Sequence, residues 1–392
     1  MDNIQRKRRQ FLQMGATGIS LFAAGLWRST SLAATATPPF HSIASIGPLQ
    51  PADANGIMLP AGFRSRVVAR SSEIPVSRSS YRWHASPDGG ACFATDDGGW
   101  IYVSNSEESN GNGGVGALRF DANGTVVDAY PILQNTSRNC AGGATPWGTW
   151  LSCEEYANGQ VFECDPLGRS PAVVRPLLGS FAHEAVAVDL AHQCIYLTED
   201  TGDGGFYRYV AANGLPDLDN GQLEIAEVVA DGGSSRIRWH EVPDVNAELV
   251  PTRHQVEVSS PFDGGEGIAL HDGVVYFVTK GDNRIWSYDT SSREIEILYD
   301  AATSNNPILT GVDNVVITPG GDVLVAEDGG NMQIVAMTPD QKLLPLLQIV
   351  GQDDSEICGP AFDPSHQRFY FSSQNGVTGN GKDGITYEIS AI

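Results

Sequence analysis

The segment GGWIYVSN (98–105) recurs in altered form along this 392-residue chain. The other copies are GTWLSCE (148–154), QCIYLTE (193–199), VVYFVTK (274–280), GDVLVAE (321–327) and RFYFSSQ (368–374). The last residues of successive copies are 49, 45, 81, 47 and 47 residues apart. A repeat of about 47 residues is typical of a β-propeller blade, in which four strands form one sheet beside a central channel. We therefore predict an all-β, six-bladed β-propeller.

The repeat spacing also predicts the domain organisation. The 81-residue interval exceeds one repeat by about 34 residues, so we expect an insertion around residues 205–260, where turn-forming residues are frequent. Residues 37–65 are expected to form an extended lead-in, and residues 66–392 a single propeller domain.

The N-terminus has the composition of an export signal. RKRRQFLQ (6–13) contains adjacent arginines, and a short, weakly apolar stretch and small residues follow it. This pattern predicts a twin-arginine signal peptide over residues 1–36, export by the twin-arginine translocation machinery and a periplasmic or extracellular location. No other stretch has about 18 consecutive apolar residues, so we expect no stable membrane insertion.

The chain is strongly acidic, with a formal net charge of −23. Residues 1–36 contain five basic residues and one acid, so their removal changes the charge by −4, to −27. Such a surface repels nucleic acid, and no nucleic-acid partner is expected. Acidic excess serves either solubility or the binding of hard cations such as calcium, and the positions of the acids must distinguish the two.

Hairpin geometry predicts where several acidic residues meet. Residues just before the first strand of an antiparallel pair lie opposite the end of the second strand. This rule gives four facing pairs at one mouth of the channel: Cys140 with Glu154, Glu184 with Glu199, Glu266 with Lys280, and Asp313 with Glu327. Glu155 directly follows Glu154.

Carboxylates gathered in a partly dehydrated channel repel one another and take up protons unless cations lie between them. Oxygen ligands favour calcium, and a thiolate favours a softer metal such as iron or zinc. The alternative is that these acids cap turns or link blades, and that Cys140 is a buried small side chain. The spacing alone leaves both readings open.

The sequence resembles the PhoX-type alkaline phosphatases over most of its predicted mature part. The longest match is NCAGGATPWGTWLSCEE (139–155). SNSEE (104–108), LGSFAHEAVAVD (178–189), GEGIAL (265–270) and CGPAFDPSHQRFYFSSQ (358–374) follow the family's order, together with DNVVITPGG and AEDGG within 313–330.

The resemblance implies a metal-dependent phosphoesterase that hydrolyses phosphate monoesters with Ca²⁺ and Fe³⁺ in the channel. It implies that Cys140 and Glu184 bind iron and that Asn105 faces the substrate phosphate. The further ligands that it implies are Glu154, Glu155, Glu266, Asp313, Glu327 and Asp328.

The chain also departs from the family pattern. Ser106 replaces a histidine, Ser180 replaces an arginine, and Gly264 stands where the larger enzymes carry a phosphate-binding arginine. The exchange at Gly264 motivates a second reading, a metal-binding propeller without catalysis. A third reading is a calcium-dependent lactonase-like hydrolase, because propellers support many functions.

Overall fold

The computed structural model describes residues 37–392. Their strands form six blades, and the inner strands of these blades make a closed ring. Six inner strands stand next to one another in this ring, namely β3 (Pro87–Ala94), β7 (Asn139–Ala144), β11 (His183–Asp189), β16 (Gly265–His271), β20 (Val312–Ile317) and β24 (Ile357–Phe362). The last inner strand packs against the first, so the ring has no open edge. The structure is therefore the predicted six-bladed β-propeller.

Each inner strand begins an antiparallel blade that runs outward in chain order. The remaining strands of the first three blades are β4 (Trp100–Ser106), β5 (Gly113–Phe120) and β6 (Val126–Thr136); β8 (Trp150–Glu154), β9 (Val161–Cys164) and β10 (Val173–Val174); and β12 (Cys194–Glu199), β13 (Phe206–Ala211) and β14 (Gly221–Asp231).

The other blades are built in the same way, with additions at their outer edges. Their remaining strands are β17 (Val274–Thr279), β18 (Arg284–Asp289) and β19 (Glu294–Asp300); β21 (Val323–Glu327), β22 (Gln333–Met337) and β23 (Leu343–Ile349); and β25 (Arg368–Ser373) and β26 (Ile385–Ala391). Short 3-10 helices lie at Pro176–Leu178, Thr252–His254, Gly376–Thr378 and Gly381–Asp383.

The N-terminal part of the described chain closes the propeller. Strand β2 (Phe63–Arg70) pairs with β26 and supplies the outer strand of the sixth blade. Strand β1 (Ile57–Met58) pairs with β23 on the fifth blade. Because the two ends of the chain share one sheet, the ring cannot open without breaking this ladder.

One blade carries extra chain. Strand β15 (Ser234–Glu241) forms a long hairpin with β14 and also pairs with β19, which joins the third and fourth blades into one nine-stranded sheet. The residues beyond an ordinary four-stranded blade are thus β15 and the segment 242–264, which overlap most of the second half of the predicted insertion region, 205–260.

Apolar side chains between the blades form the core, as in the aromatic cluster of Tyr196, Phe206, Phe277 and Tyr288 between the third and fourth blades. Near the channel four of the six inner strands contain glycine, where neighbouring backbones approach closely. A Cβ atom at Gly143 would lie 2.1 Å from the carbonyl oxygen of Val186 on the next blade.

Two further findings concern the predicted localisation and the cysteines. Within residues 37–392, no helix combines the length and the apolar character needed to cross a bilayer. All six cysteines are free thiols. The predicted signal peptide (1–36) lies outside the described residues.

Candidate metal centre

The second residue of every inner strand belongs to a ring at one mouth of the channel. We call this set the inner ring: Asp88, Cys140, Glu184, Glu266, Asp313 and Cys358. In the first five blades the strand ladder shifts register between the first and fourth residues of the inner strand, and in the sixth the shift follows Cys358. Such a bulge inserts an unpaired residue and changes the direction of its side chain.

A second set of residues lies beside the inner ring. We call it the outer ring, and each member directly follows the second strand of its blade: Glu107, Glu155, Asp200, Lys280, Asp328 and Gln374. These side chains are more exposed than the carboxylates of the inner ring. Glu356, which directly precedes β24, adds another carboxylate.

Ligand-type atoms of these residues approach one another within 4.8 Å in five groups. The groups are Cys140–Glu155–Glu184, Glu184–Glu266–Asp313, Asp313–Asp328–Glu356, Asp88–Glu356–Cys358 and Asp88–Glu107–Cys140. Each group shares a residue with the next, so the five form a closed circuit. Two groups contain carboxylates alone, the donor type that suits calcium, and three contain one thiol with two carboxylates, which suit a softer ion.

Burial and mutual repulsion raise the pKa values of the buried carboxylates in this cluster and so favour their protonated forms. Burial, followed by the charge of Glu266, raises the pKa of Glu184 well above its ordinary value. Burial raises the pKa of Glu155 to about 9 and that of Asp313 to about 6. A cation between the carboxylates would remove this penalty, because it favours their ionised forms.

Three buried oxygen atoms in the cluster also lack hydrogen-bond partners. They are both carboxylate oxygens of Glu184 and Oε1 of Glu266. The two side chains are 1% and 2% exposed. Buried polar atoms in folded proteins are almost always bonded, so unpartnered carboxylate oxygens at a mouth lined with further acids fit a bound metal ion.

Two basic side chains partly balance the charge. Nη2 of Arg138 lies 3.1 Å from Glu155, and its Nε lies 3.6 Å from Glu107. Nζ of Lys280 lies 2.7 Å from Asp328 and 3.4 Å from Glu266. The cluster therefore contains fewer basic side chains than carboxylates.

The structure brings together Cys140, Glu155, Glu184, Glu266, Asp313 and Asp328 from the predicted ligands. Glu154 and Glu327 do not join any of the five groups. The residues opposite them in the ladder are Asn139 and Val312, not Cys140 and Asp313 as the hairpin rule suggested. The observed pairing differs from the predicted one by one residue. Because side chains alternate along a strand, both glutamates therefore point away from the mouth.

Glu154 and Glu327 instead stabilise loops within their blades. Glu154 accepts hydrogen bonds from the backbone N–H of Ser137 and Gln160. Glu327 accepts from the backbone N–H of Thr310 and Gln333. For these two residues the structure favours the alternative of a loop-capping role.

The side-chain amide of Asn105, which the family resemblance implies would face the substrate phosphate, is buried and hydrogen-bonded within the protein. Its amide Nδ2 donates to the carbonyl oxygens of Cys140 and Ala141, at 2.9 and 2.7 Å. Its Oδ1 accepts from Trp150 and Ser152, both at 2.9 Å. The side chain is fully buried and links the first two blades directly behind Cys140.

Sequence reasoning missed several members of the cluster: Asp88, Glu107, Asp200, Glu356, Cys358 and Gln374. A usable signal was present. In most blades an Asp, Glu or Cys stands immediately before a small residue at the start of the inner strand, as in Asp88-Gly89, Glu266-Gly267 and Cys358-Gly359. The four facing pairs predicted from hairpin geometry belong to the second to fifth blades, and the same signal occurs in the first and sixth.

Comparisons with known proteins agree with this architecture. The chain superposes on a solved structure of Pseudomonas fluorescens PhoX in complex with vanadate, with a TM-score of 0.73, 16% identity, and coverage of 88% of this chain and 97% of that one. A protein of unknown function from Bacteroides thetaiotaomicron gives a TM-score of 0.53 at 8% identity, covering 84% of this chain and 76% of that one. No curated protein matches the chain by sequence.

These likenesses define the fold as a propeller of the PhoX kind. A family model described as alkaline phosphatase PhoX matches residues 113–165 and 157–294. This range contains the inner-ring and outer-ring residues of the second, third and fourth blades: Cys140, Glu155, Glu184, Asp200, Glu266 and Lys280. Together with the structural match, this family match supports membership of the chain in the PhoX superfamily.

Proposed function

We propose that the protein is an exported, metal-dependent phosphoesterase that hydrolyses phosphate monoesters at the mouth of its channel. The observation that carries this proposal is the circuit of ligand groups with unpartnered carboxylate oxygens at Glu184 and Glu266. The family match and the vanadate bound to the P. fluorescens protein, which is described as a transition state analogue, support it.

The residues that would hold the ions follow from donor chemistry. Cys140, with Glu155 and Glu184, suits iron, because it contributes a thiolate. Glu184, Glu266 and Asp313 offer carboxylate oxygens alone and suit calcium. When bound, the ions would supply Lewis-acid charge to phosphoryl oxygens and to an attacking water.

The chain's own side chains would position and balance this centre. Asn105 fixes the backbone at Cys140 and thereby the direction of the thiol. Arg138 holds Glu155 and Glu107 at the rim. Arg138 and Lys280 are also partly exposed cations that an incoming phosphate monoester would meet.

Gly264 favours a second candidate, a metal-binding propeller without phosphatase turnover. Gly264 has a φ of +67°, in the left-handed region that suits glycine. Loss of a bidentate arginine–phosphate contact costs on the order of a hundredfold in rate. The Gly264→Arg variant tests this: a large gain in phosphatase rate would show that the native site is degenerate.

Export is part of the same proposal. The twin-arginine motif of residues 6–13 would carry the protein, already folded, to the periplasm or beyond. Retention of a reporter in the cytoplasm on exchange of Arg8 and Arg9 for lysine would support this route, whereas unchanged export would exclude it.

The activity test compares wild-type protein with Glu184→Gln and, as a matched control, Glu327→Gln. All are purified without chelator, and release of p-nitrophenol from its phosphate monoester is measured together with calcium and iron content by mass spectrometry. We expect Glu184→Gln to lose about a hundredfold or more in rate and part of the metal, while the control keeps both. A wild-type protein that binds ions but hydrolyses no phosphate monoester would overturn the proposal. Lactone hydrolysis without iron would identify a lactonase-like enzyme instead.

A further inference from the structure

One member of the outer ring is positively charged. Four of the six positions carry Asp or Glu, the sixth blade carries Gln374, and the fourth carries Lys280. Gln374 donates from Nε2 to Asp88 at 2.7 Å and to Glu107 at 3.0 Å. Lys280 is thus the one ring member that places a positive charge in the circuit.

The ammonium group of Lys280 lies where two neighbouring ligand groups meet. Its Nζ is 2.7 Å from Asp328, 3.4 Å from Glu266 and 3.9 Å from Asp313. Glu266 and Asp313 belong to one group, and Asp313 and Asp328 belong to the next. Three carboxylates from two blades therefore surround a single ammonium, an arrangement that resembles the surroundings of a bound cation.

The ammonium of Lys280 does not satisfy the carboxylate of Glu266. Oε1 of Glu266 lies 3.4 Å from Nζ yet forms no hydrogen bond, whereas the Lys280–Asp328 pair is at the distance of a close charge-assisted contact. Lys280 thus neutralises the Asp328 side of the junction and leaves the Glu184 and Glu266 oxygens for an ion.

We infer that Lys280 is a tethered cation that takes the place of one divalent ion at the junction of Glu266, Asp313 and Asp328. The protein then binds fewer ions than its carboxylates alone would hold. The inference rests on the proposed metal centre but not on its catalytic activity. The side chain is 34% exposed, so its outward side also faces whatever enters the mouth.

The test counts ions in Lys280→Gln, Lys280→Arg and wild-type protein after dialysis against calcium without chelator. Elemental mass spectrometry should find about one more divalent ion per chain in Lys280→Gln, because three carboxylates lose their counter-ion. Lys280→Arg keeps the charge and should match wild type. Lys342→Gln removes a lysine whose partner is Asp340 at an exposed turn, and it should also match. Lys280→Met serves the same test if the glutamine variant does not fold.

An unchanged ion count in folded Lys280→Gln, with ions present in wild type, would overturn the inference. Wild-type protein without any ion would overturn the metal centre and the inference together. If wild-type protein binds ions but has no phosphatase activity, and Lys280→Gln binds the extra ion, only the proposed hydrolase activity would be overturned.

Discussion

Removal of one carboxylate from the cluster should have opposite effects on stability with and without metal, and Glu155→Gln tests this most directly. Glu155 is 12% exposed, and burial followed by the charge of Glu107 raises its pKa from 4.5 to about 9. In metal-free protein the folded state therefore keeps a proton that the unfolded chain has lost. When the pKa of a carboxylate is higher in the folded state, the folded state loses stability as the pH rises from the unfolded-state pKa to the folded-state pKa.

The size of the effect follows from these values. Between pH 4.5 and pH 7.5, each pH unit costs the folded state about 1.4 kcal/mol, so the penalty at pH 7.5 is about 4 kcal/mol. Glutamine carries no charge and avoids this penalty. We expect chelator-treated Glu155→Gln to be more stable than wild type by about 2 to 4 kcal/mol at pH 7.5, and the gain to vanish near pH 4.5.

The assay is denaturant unfolding of both proteins at several pH values, with chelator and again with calcium and iron. With metal present the sign should reverse, because the loss of a ligand weakens ion binding to the folded state. Glu163→Gln is the control. The carboxylate of Glu163 accepts hydrogen bonds from the side chains of Trp147 and Thr149. The Glu163→Gln variant should therefore be less stable than wild type both with and without metal. Metal-free Glu155→Gln that is no more stable than wild type at pH 7.5 would refute the argument.

Three further substitutions separate metal binding from folding. Cys140→Ser should remove iron and activity but leave the circular dichroism unchanged, whereas Cys153→Ser, inside β8, should keep the iron; equal iron in both would refute the ligand role of Cys140. Asn105→Ala loses four buried hydrogen bonds and should lower the free energy of unfolding by about 2 to 4 kcal/mol, which a melting curve will show. Glu327→Gln should lower the melting temperature while the ion count stays at the wild-type value, and loss of an ion would contradict its capping role.

The six-fold repeat was readable from the sequence because it depends on composition and spacing alone. The alternation of strand residues and the recurring turns at one spacing were enough to predict the blades and the channel. Cys140 and Glu184 could also be placed at the mouth, since each stands at the start of the first strand of a recurring hairpin.

The register at the mouth could not be predicted in the same way. A bulge adds one residue without a distinctive sequence, and a shift of one residue exchanges the faces of a strand. For this reason Glu154 was expected at the mouth together with Glu155, although the structure turns the two in opposite directions. The role of Glu356, which precedes its strand, depends on loop geometry that no local pattern reveals.

The bulges at the starts of the inner strands have a consequence for how such a centre can change. Each bulge takes the inner-ring residue out of the regular alternation that directs side chains into the core. A new residue at that position therefore alters the channel without repacking a blade. Six positions far apart in the chain can therefore change one at a time while sharing one location. A lineage could replace acid by thiol, amide or amine one blade at a time and obtain a different metal preference from an unchanged scaffold.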